Sequence, residues 1–242
     1  ELVSGRVFIP PAAARAAMAA YPRAEEVITY PCDAIVAGDN TSYYPFVAAV
    51  APGGLYGSVV DAEMADDEMI VNRWLADDLD LSAGDRVTLQ WFGLRDGNLE
   101  KFTADFRVAG ITPVAGAAAD RTLMPELAGI SGTDDCSDWE TGLPVDLDKV
   151  TDRDETYWDR YRGTPKAFVT LAAGKRMWSN RFGSATAVRL NPAEPLAPAD
   201  AEEILAGRLD PAALGLSFRN VKAAAQAAAG EAMDFGMLFA GL

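Results

Sequence analysis

Apolar and polar positions along the chain follow the two-residue period of a strand in some short segments and the 3.6-residue period of a helix in others. Strict alternation, which is typical of a half-buried strand, places Phe102, Ala104, Phe106 and Val108 on one face. Similar patterns predict strands at 27–37, 43–50, 69–71, 87–92, 102–111, 167–171, 185–190 and 214–221. Helical spacing and alanine-rich runs predict helices at 12–20, 74–79, 172–178, 199–209 and from Lys222 onward. This mixture predicts a fold of the α+β class.

Turn-forming residues join some of these strands into pairs. The tetrad Gly38-Asp39-Asn40-Thr41 predicts a hairpin between the strands at 27–37 and 43–50. The tetrad Arg95-Asp96-Gly97-Asn98 predicts a second hairpin between the strands at 87–92 and 102–111. The middle of the chain is therefore expected to be rich in antiparallel pairs.

The segment from Pro113 to Pro165 has little period and is rich in glycine and acidic residues. It is much longer than ordinary connections of about 4–6 residues. Its aromatic side chains indicate that it packs against the rest of the protein, since such rings are rarely left in water. They are Trp139, Tyr157, Trp158 and Tyr161. We therefore expect a structured excursion and not a linker.

Composition bounds the class of protein. Half of the 242 residues are hydrophobic, which is enough for a substantial core. The formal net charge is -15, which disfavours nucleic acid and anionic membrane surfaces as partners because like charges repel. No run approaches the ~18 consecutive apolar residues that a membrane-spanning helix requires. The chain is expected to be soluble as it stands.

The chain contains no histidine, which removes the usual general base near neutral pH and the commonest metal ligand. Catalysis by Ser-His-Asp or Cys-His groups and metal binding by histidine are excluded. Cys32 and Cys136 are the two cysteines, and they are not in a CxxC spacing. They could form one disulfide in an oxidising compartment or remain two separate thiols, and the sequence leaves both alternatives open.

Acidic and basic residues are segregated around position 160. Residues 134–159 contain ten acidic and two basic side chains, whereas residues 160–189 contain seven basic side chains and no acidic one. The simplest interpretation is a network of ion pairs that attaches the excursion to the following strand and helix, each exposed pair contributing at most about 1 kcal/mol.

Two chemical alternatives use the same acidic residues. A calcium site would take its oxygen ligands from Asp146, Asp148, Asp152 and Asp154, although the spacing is not that of an EF-hand loop. A hydrolase could use two carboxylates held roughly 5 to 10 Å apart, but nothing selects a pair. Gly174-Lys175 lacks the other residues of a phosphate-binding loop. No catalytic residue and no cofactor is therefore predicted.

One long string carries a family resemblance. Residues 158–183 read WDRYRGTPKAFVTLAAGKRMWSNRFG, and this string, with the segment from Asp66 to Phe92, resembles the extracytoplasmic domain of FtsX-like (MacB-type) ABC transporter permeases. The likeness covers nearly the whole chain. It also extends to residues 119–125 and 136–159.

The resemblance implies a two-lobed fold. A porter-like lobe of βαβ units would be formed by both chain ends, residues 1–63 and 166–230. A strand-rich, sabre-like lobe, residues 64–165, would be inserted between them. The apolar ending at 231–242 resembles the beginning of a membrane helix that has been truncated.

The resemblance also implies a function. The chain would lie on the extracytoplasmic or periplasmic side of the bacterial inner membrane. There it would couple ATP-driven movement of membrane helices to substrate export or to a periplasmic partner, without catalysis of its own. Its expected partners are a separate cytoplasmic ABC ATPase subunit, a second permease copy and a periplasmic partner protein, and they do not include nucleic acid. An exported carboxylate-based hydrolase or calcium-binding protein is the alternative.

Overall fold

The computed structural model describes residues 1–140, 142, 144–191, 197–217 and 219–229. The chain divides into two compact units, Glu1–Arg208 and Leu209–Leu242. The first unit contains a mixed sheet with helices, as predicted for an α+β protein.

Ten strands in the described part of the chain form one sheet in the order β1-β10-β2-β5-β9-β6-β8-β7-β3-β4. They are β1 (Leu2–Val3), β2 (Glu25–Pro31), β3 (Ala34–Ala37), β4 (Asn40–Tyr43), β5 (Phe46–Val50), β6 (Glu68–Asn72), β7 (Arg86–Arg95), β8 (Asn98–Thr112), β9 (Ala167–Thr170) and β10 (Ala187–Arg189). The β5–β9 and β6–β8 pairs are parallel, and the other pairs are antiparallel. Strands from residues 1–63, 64–165 and 166–230 therefore share one sheet.

The first predicted hairpin is present, but each of its strands is divided in two. Cys32 and Asp33 separate β2 from β3, and Tyr44 and Pro45 separate β4 from β5. Pro31 has no N–H to donate at this break, and Tyr44 adopts a left-handed φ of 51°. The bend allows the hairpin to pair with β10 and β9 at one end and with β7 at the other. The sheet accordingly curls back onto the same hairpin.

The main hydrophobic core lies on one face of this sheet. It combines residues of seven strands with two helices, α2 (Arg73–Leu79) and α4 (Leu171–Trp178). The alternation predicted for β8 is observed, since Phe106 and Val108 are buried in this core while Asp105 and Arg107 are exposed. Each helix begins directly after a strand, and the side chains of Asn72 and Thr170 accept hydrogen bonds from the first turns of α2 and α4.

The excursion is structured, as predicted. It contains helix α3 (Asp152–Tyr161) and 3-10 turns at Gly116–Ala119, Arg121–Leu123, Cys136–Asp138 and Leu147–Lys149. A capping box between Thr151 and Asp154 starts α3. Trp139 and Trp158 pack edge to face beside Phe46. The aromatic residues therefore attach the excursion to the bent hairpin.

The two ends of the first unit lie at the same edge of the sheet. Strand β1 pairs with β10, so that Leu2 lies opposite Val188. Helix α1 (Pro11–Ala20) packs with α5 (Pro198–Ala206) in a small core that includes Ala17 and Leu205. Helix α1 matches its prediction, whereas α5 ends at Ala206, three residues before the predicted end.

The second unit contains a 3-10 turn at Ala212–Leu214 and a helix at 221–229 that is capped by Asn220. The helix agrees with its prediction, but the predicted strand at 214–221 is wrong. Gly215 has a left-handed φ of 77°, which a continuous strand does not allow, and none of the described residues in this range is in a strand.

The predicted membrane-helix start at 231–242 lies outside the described residues. Within the described part of the chain, no helix has the length and apolarity required to cross a membrane.

Gly174 allows α4 to lie directly on the sheet. A Cβ atom built there would be 2.2 Å from the Cβ of Ala49 on β5. We expect Gly174→Ala to lower the free energy of unfolding by about 1–3 kcal/mol, because a packed interface must move apart to admit the methyl group. Urea unfolding measures the change. Ala172→Ser on the exposed side of the same helix is the control, and equal effects of the two substitutions would contradict the packing argument.

Candidate functional site

The four acidic residues considered as calcium ligands are used in other ways or are exposed. Asp146 pairs with Lys149 at 3.7 Å, and Asp154 caps α3 and binds Lys166. Asp148 and Asp152 are exposed. Across the described ranges, no three carboxylate or thiol side chains are grouped closely enough to hold a metal ion.

The ion-pair network between the acidic and basic blocks forms in part. Lys166 binds Asp154 at 2.8 Å, and Arg162 approaches Asp134 at 4.0 Å. Other basic residues of the second block bind acids elsewhere. These contacts are Lys175 with Glu26, Arg176 with Asp66, and Arg189 with Glu1 and Asp120. The basic block therefore connects the strand–helix unit to several parts of the sheet.

Lys166 occupies a buried polar junction between β9, α3 and the bent hairpin. Lys166 is 5% exposed, and its Nζ donates to Asp154 Oδ1 at 2.8 Å and to Ser42 Oγ at 3.3 Å. Burial alone would raise the pKa of Asp154. The Lys166 ammonium and hydrogen bonds from Lys166 and Thr151 outweigh burial and hold the pKa of this carboxyl below its usual 3.8.

This junction resembles a serine–lysine catalytic pair only in composition. A lysine that activates a serine must be able to accept its proton, whereas Lys166 forms an ion pair with a carboxylate. The adjoining cavity has a volume of about 20 Å³, which is space for about one water molecule. Ser42 is 2% exposed and does not line this cavity, so the geometry gives no support for catalysis at this junction.

Asn72 completes the junction at the point where β6 passes into α2. Its amide nitrogen donates to the Tyr157 hydroxyl at 2.9 Å and to the Pro165 carbonyl at 3.2 Å. Its side-chain oxygen accepts from the Leu75 N–H at 2.8 Å. The residue is fully buried. One side chain thus joins the end of β6 and the start of α2 to α3 and to the segment that precedes β9.

The cysteines are buried free thiols that belong to different hydrophobic clusters. Burial raises the pKa of Cys32, and the neighbouring Asp33 carboxylate raises it further. Burial likewise raises the pKa of Cys136, and the Glu155 carboxylate adds to this shift. Both groups are therefore protonated thiols at neutral pH.

We expect both thiols to react with a maleimide more than about tenfold more slowly than an exposed cysteine at pH 7.5, because the thiolate is the reactive form and each unit of pKa reduces it tenfold. Mass spectrometry over time measures the reaction. Complete labelling after unfolding in urea is the control. Rapid labelling of the folded protein would contradict the assignment of buried, protonated thiols. Labelling in urea that occurs only after reduction would show a disulfide and would also contradict it.

A large apolar recess lies between the tip of the β7–β8 hairpin and the C-terminal end of α4. Its volume is about 540 Å³, within the range of small-molecule sites. We call it the aromatic groove, and its aromatic lining includes Phe8, Tyr30, Trp91, Phe102, Trp178 and Phe182. The rings are ordered in pairs: Tyr30 stacks on Trp178 at 5.3 Å, and Trp91 stacks on Phe102 at 5.9 Å.

The rim of the aromatic groove is apolar and open to solvent. Leu94 and Leu99 at the hairpin tip are 58% and 43% exposed, and Phe182 is 49% exposed. The Asp96-Gly97 turn between the two leucines has a positive φ at both residues, as a tight hairpin requires. The turn was predicted from the sequence, but the groove was not.

Comparisons with known proteins do not assign this groove or the chain. No protein-family model matches the sequence, and no curated protein is significantly similar to it.

Proposed function

We propose that this chain is the extracytoplasmic domain of an FtsX-like ABC transporter permease and that it transmits movement without catalysing a reaction. A separate cytoplasmic ATPase subunit would supply the energy, and membrane helices would carry the movement to this domain at the outer face of the inner membrane. A second permease copy and a periplasmic partner protein could complete the assembly. The output would be substrate export or a change in the partner.

The position of the two ends of the first unit, residues 1–208, is the observation that carries the proposal. Strand β1 and the strand β10 that pairs with it lie at one edge of the sheet, and α5 returns to pack on α1. Arg208 at the end of the unit donates to the Ala19 carbonyl at 3.4 Å. The chain therefore enters and leaves the first unit at neighbouring positions, as connections to a pair of membrane helices would require.

Eight of the ten strands follow the proposed division into a porter-like and an inserted lobe, whereas β3 and β4 belong to the first terminal segment but lie beyond β7. Strands β1, β10, β2, β5 and β9 come from the two terminal segments and are contiguous. Strands β6, β8 and β7 come from the central segment and are also contiguous. The two sets meet between β9 and β6, where Ile70 lies opposite Phe168 and Val71 lies opposite Ala167.

The second connection between the two lobes is the bent hairpin, whose β3 pairs with β7 through Ile35 and Leu89. A movement applied to the terminal strands would reach the central strands through these two connections and through the Asn72 and Lys166 contacts. Such coupling needs two discrete arrangements of packed elements.

Purification of the tagged full-length gene product from its own cells tests the proposal. We expect it in the membrane fraction, together with a subunit that binds and hydrolyses ATP. The 242-residue chain alone should not hydrolyse ATP. A product that purifies without an ATPase from the soluble fraction would refute the proposal.

A further inference from the structure

We propose that the aromatic groove binds a single-chain amphiphile, an unbranched apolar chain that carries one anionic head group such as a carboxylate or a phosphate. The inference rests on the groove alone and does not depend on the proposed function.

The interior of the groove suits an apolar chain. Stacked rings form two of its walls, and the side chains of Leu94, Leu99 and Phe182 are substantially exposed around it. Apolar surface of this kind is costly to leave in water, at about 25 cal/mol per Å². A recess of about 540 Å³ is large enough to cover most of a chain of about twelve carbons.

Cationic side chains lie beside the apolar rim of the groove. Three cationic groups lie over rings that line it: Arg95 is 4.6 Å from the Phe102 centroid, Lys101 is 5.2 Å from that of Phe92, and Arg181 is 4.7 Å from that of Phe182. Arg95 lines the groove, whereas Lys101 and Arg181 lie beside it and contact it through these rings.

One cationic group beside the groove remains available to a ligand. Arg95 pairs with Glu100 and Lys101 pairs with Asp33, but Arg181 forms no ion pair with any of the described residues. The indole nitrogen of Trp178, a residue that is 3% exposed, has no hydrogen-bond partner in the described part of the chain. This nitrogen is itself buried, so Arg181 is the group that would meet the anionic head of a ligand.

Titration of the 242-residue chain with dodecanoate, below the concentration at which it forms micelles, tests the inference. The readouts are calorimetry and tryptophan fluorescence, to which Trp91 and Trp178 in the groove contribute. We expect saturable binding of one molecule. Phe182→Asp and Leu94→Asp should weaken it about tenfold or more, because a carboxylate would then face the apolar chain. Val3→Asp, at an equally exposed apolar position outside the groove, should leave it unchanged.

Two further comparisons test the head group. Dodecanol, which has the same chain without the charge, should bind more weakly than dodecanoate, and Arg181→Gln should weaken dodecanoate about threefold with no effect on dodecanol. Dodecyl phosphate should bind in the same way as dodecanoate. Three results would each overturn the proposal: no saturable binding, equal loss in Phe182→Asp and Val3→Asp, or equal affinity for dodecanol and dodecanoate. Circular dichroism confirms that each variant is folded.

Discussion

Lys166→Met is expected to lower the free energy of unfolding by about 3–5 kcal/mol, because it leaves the Asp154 carboxylate, whose side chain is 13% exposed, without its cation. The methionine preserves most of the side-chain volume, so that the lost charge and not a cavity dominates the effect. Chemical unfolding in urea, followed by tryptophan fluorescence, measures the change.

Two controls separate the buried charge from ion pairing in general. Arg73→Met removes the cation of the exposed Arg73–Asp77 pair and should cost less than about 1 kcal/mol. The double substitution Lys166→Met with Asp154→Leu should be less destabilising than Lys166→Met alone, since no unpaired carboxylate remains. A loss for Lys166→Met that is no larger than that for Arg73→Met would contradict the assignment.

The same pair predicts a dependence on pH. The pKa of Asp154 is lower in the folded protein than its ordinary value of 3.8, so the folded state binds fewer protons at this site than the unfolded state. The contribution of Asp154 to the free energy of unfolding is therefore fully present above about pH 4. It is lost as the pH falls through the pKa that Asp154 has in the folded protein. The difference in free energy of unfolding between the native protein and Asp154→Asn should shrink over this acid range. A difference that stays constant would contradict this reasoning.

Asn72→Ala is expected to destabilise the protein by about 2–4 kcal/mol. The substitution removes the cap of α2 and leaves the Leu75 N–H and the Pro165 carbonyl buried without these partners. The Tyr157 hydroxyl retains its own donation to the Thr164 carbonyl at 3.0 Å. Urea unfolding again measures the effect.

Asn98→Ala is the matched control for Asn72→Ala. Asn98 is exposed at the start of β8, so its substitution should change the free energy of unfolding by no more than about 0.5 kcal/mol. An Asn72→Ala variant as stable as the Asn98→Ala variant would show that Asn72 does not join the elements that contact it.

Elements with a strong local signal were predictable from the sequence. Turn residues identified both hairpins, and alternation identified the buried face of β8. The aromatic residues of the excursion indicated that it packs, and Trp139 and Trp158 do so. The predicted strand at 214–221 failed because Gly215 and the helix that begins at 221 control the local backbone more strongly than a few apolar residues do.

Features that depend on distant residues were not predictable in the same way. Asn72 and Lys166 look like ordinary polar residues until the fold places them in contact with residues more than eighty positions away. The aromatic groove is formed by five separate parts of the chain, from Phe8 to Phe182. The nearest local signal was the number of aromatic residues at the ends of β7 and α4, which is equally typical of a core.

The central proposal, a membrane-anchored extracytoplasmic domain, is tested most directly by labelling an introduced cysteine in the full-length gene product. Ser58 is exposed, and the two native thiols are buried, so that Ser58→Cys should be the dominant target of a membrane-impermeant maleimide. We expect the Ser58→Cys protein to be labelled in spheroplasts with an intact inner membrane and to sediment with the membranes. Labelling only after lysis, or a product in the soluble fraction, would contradict it.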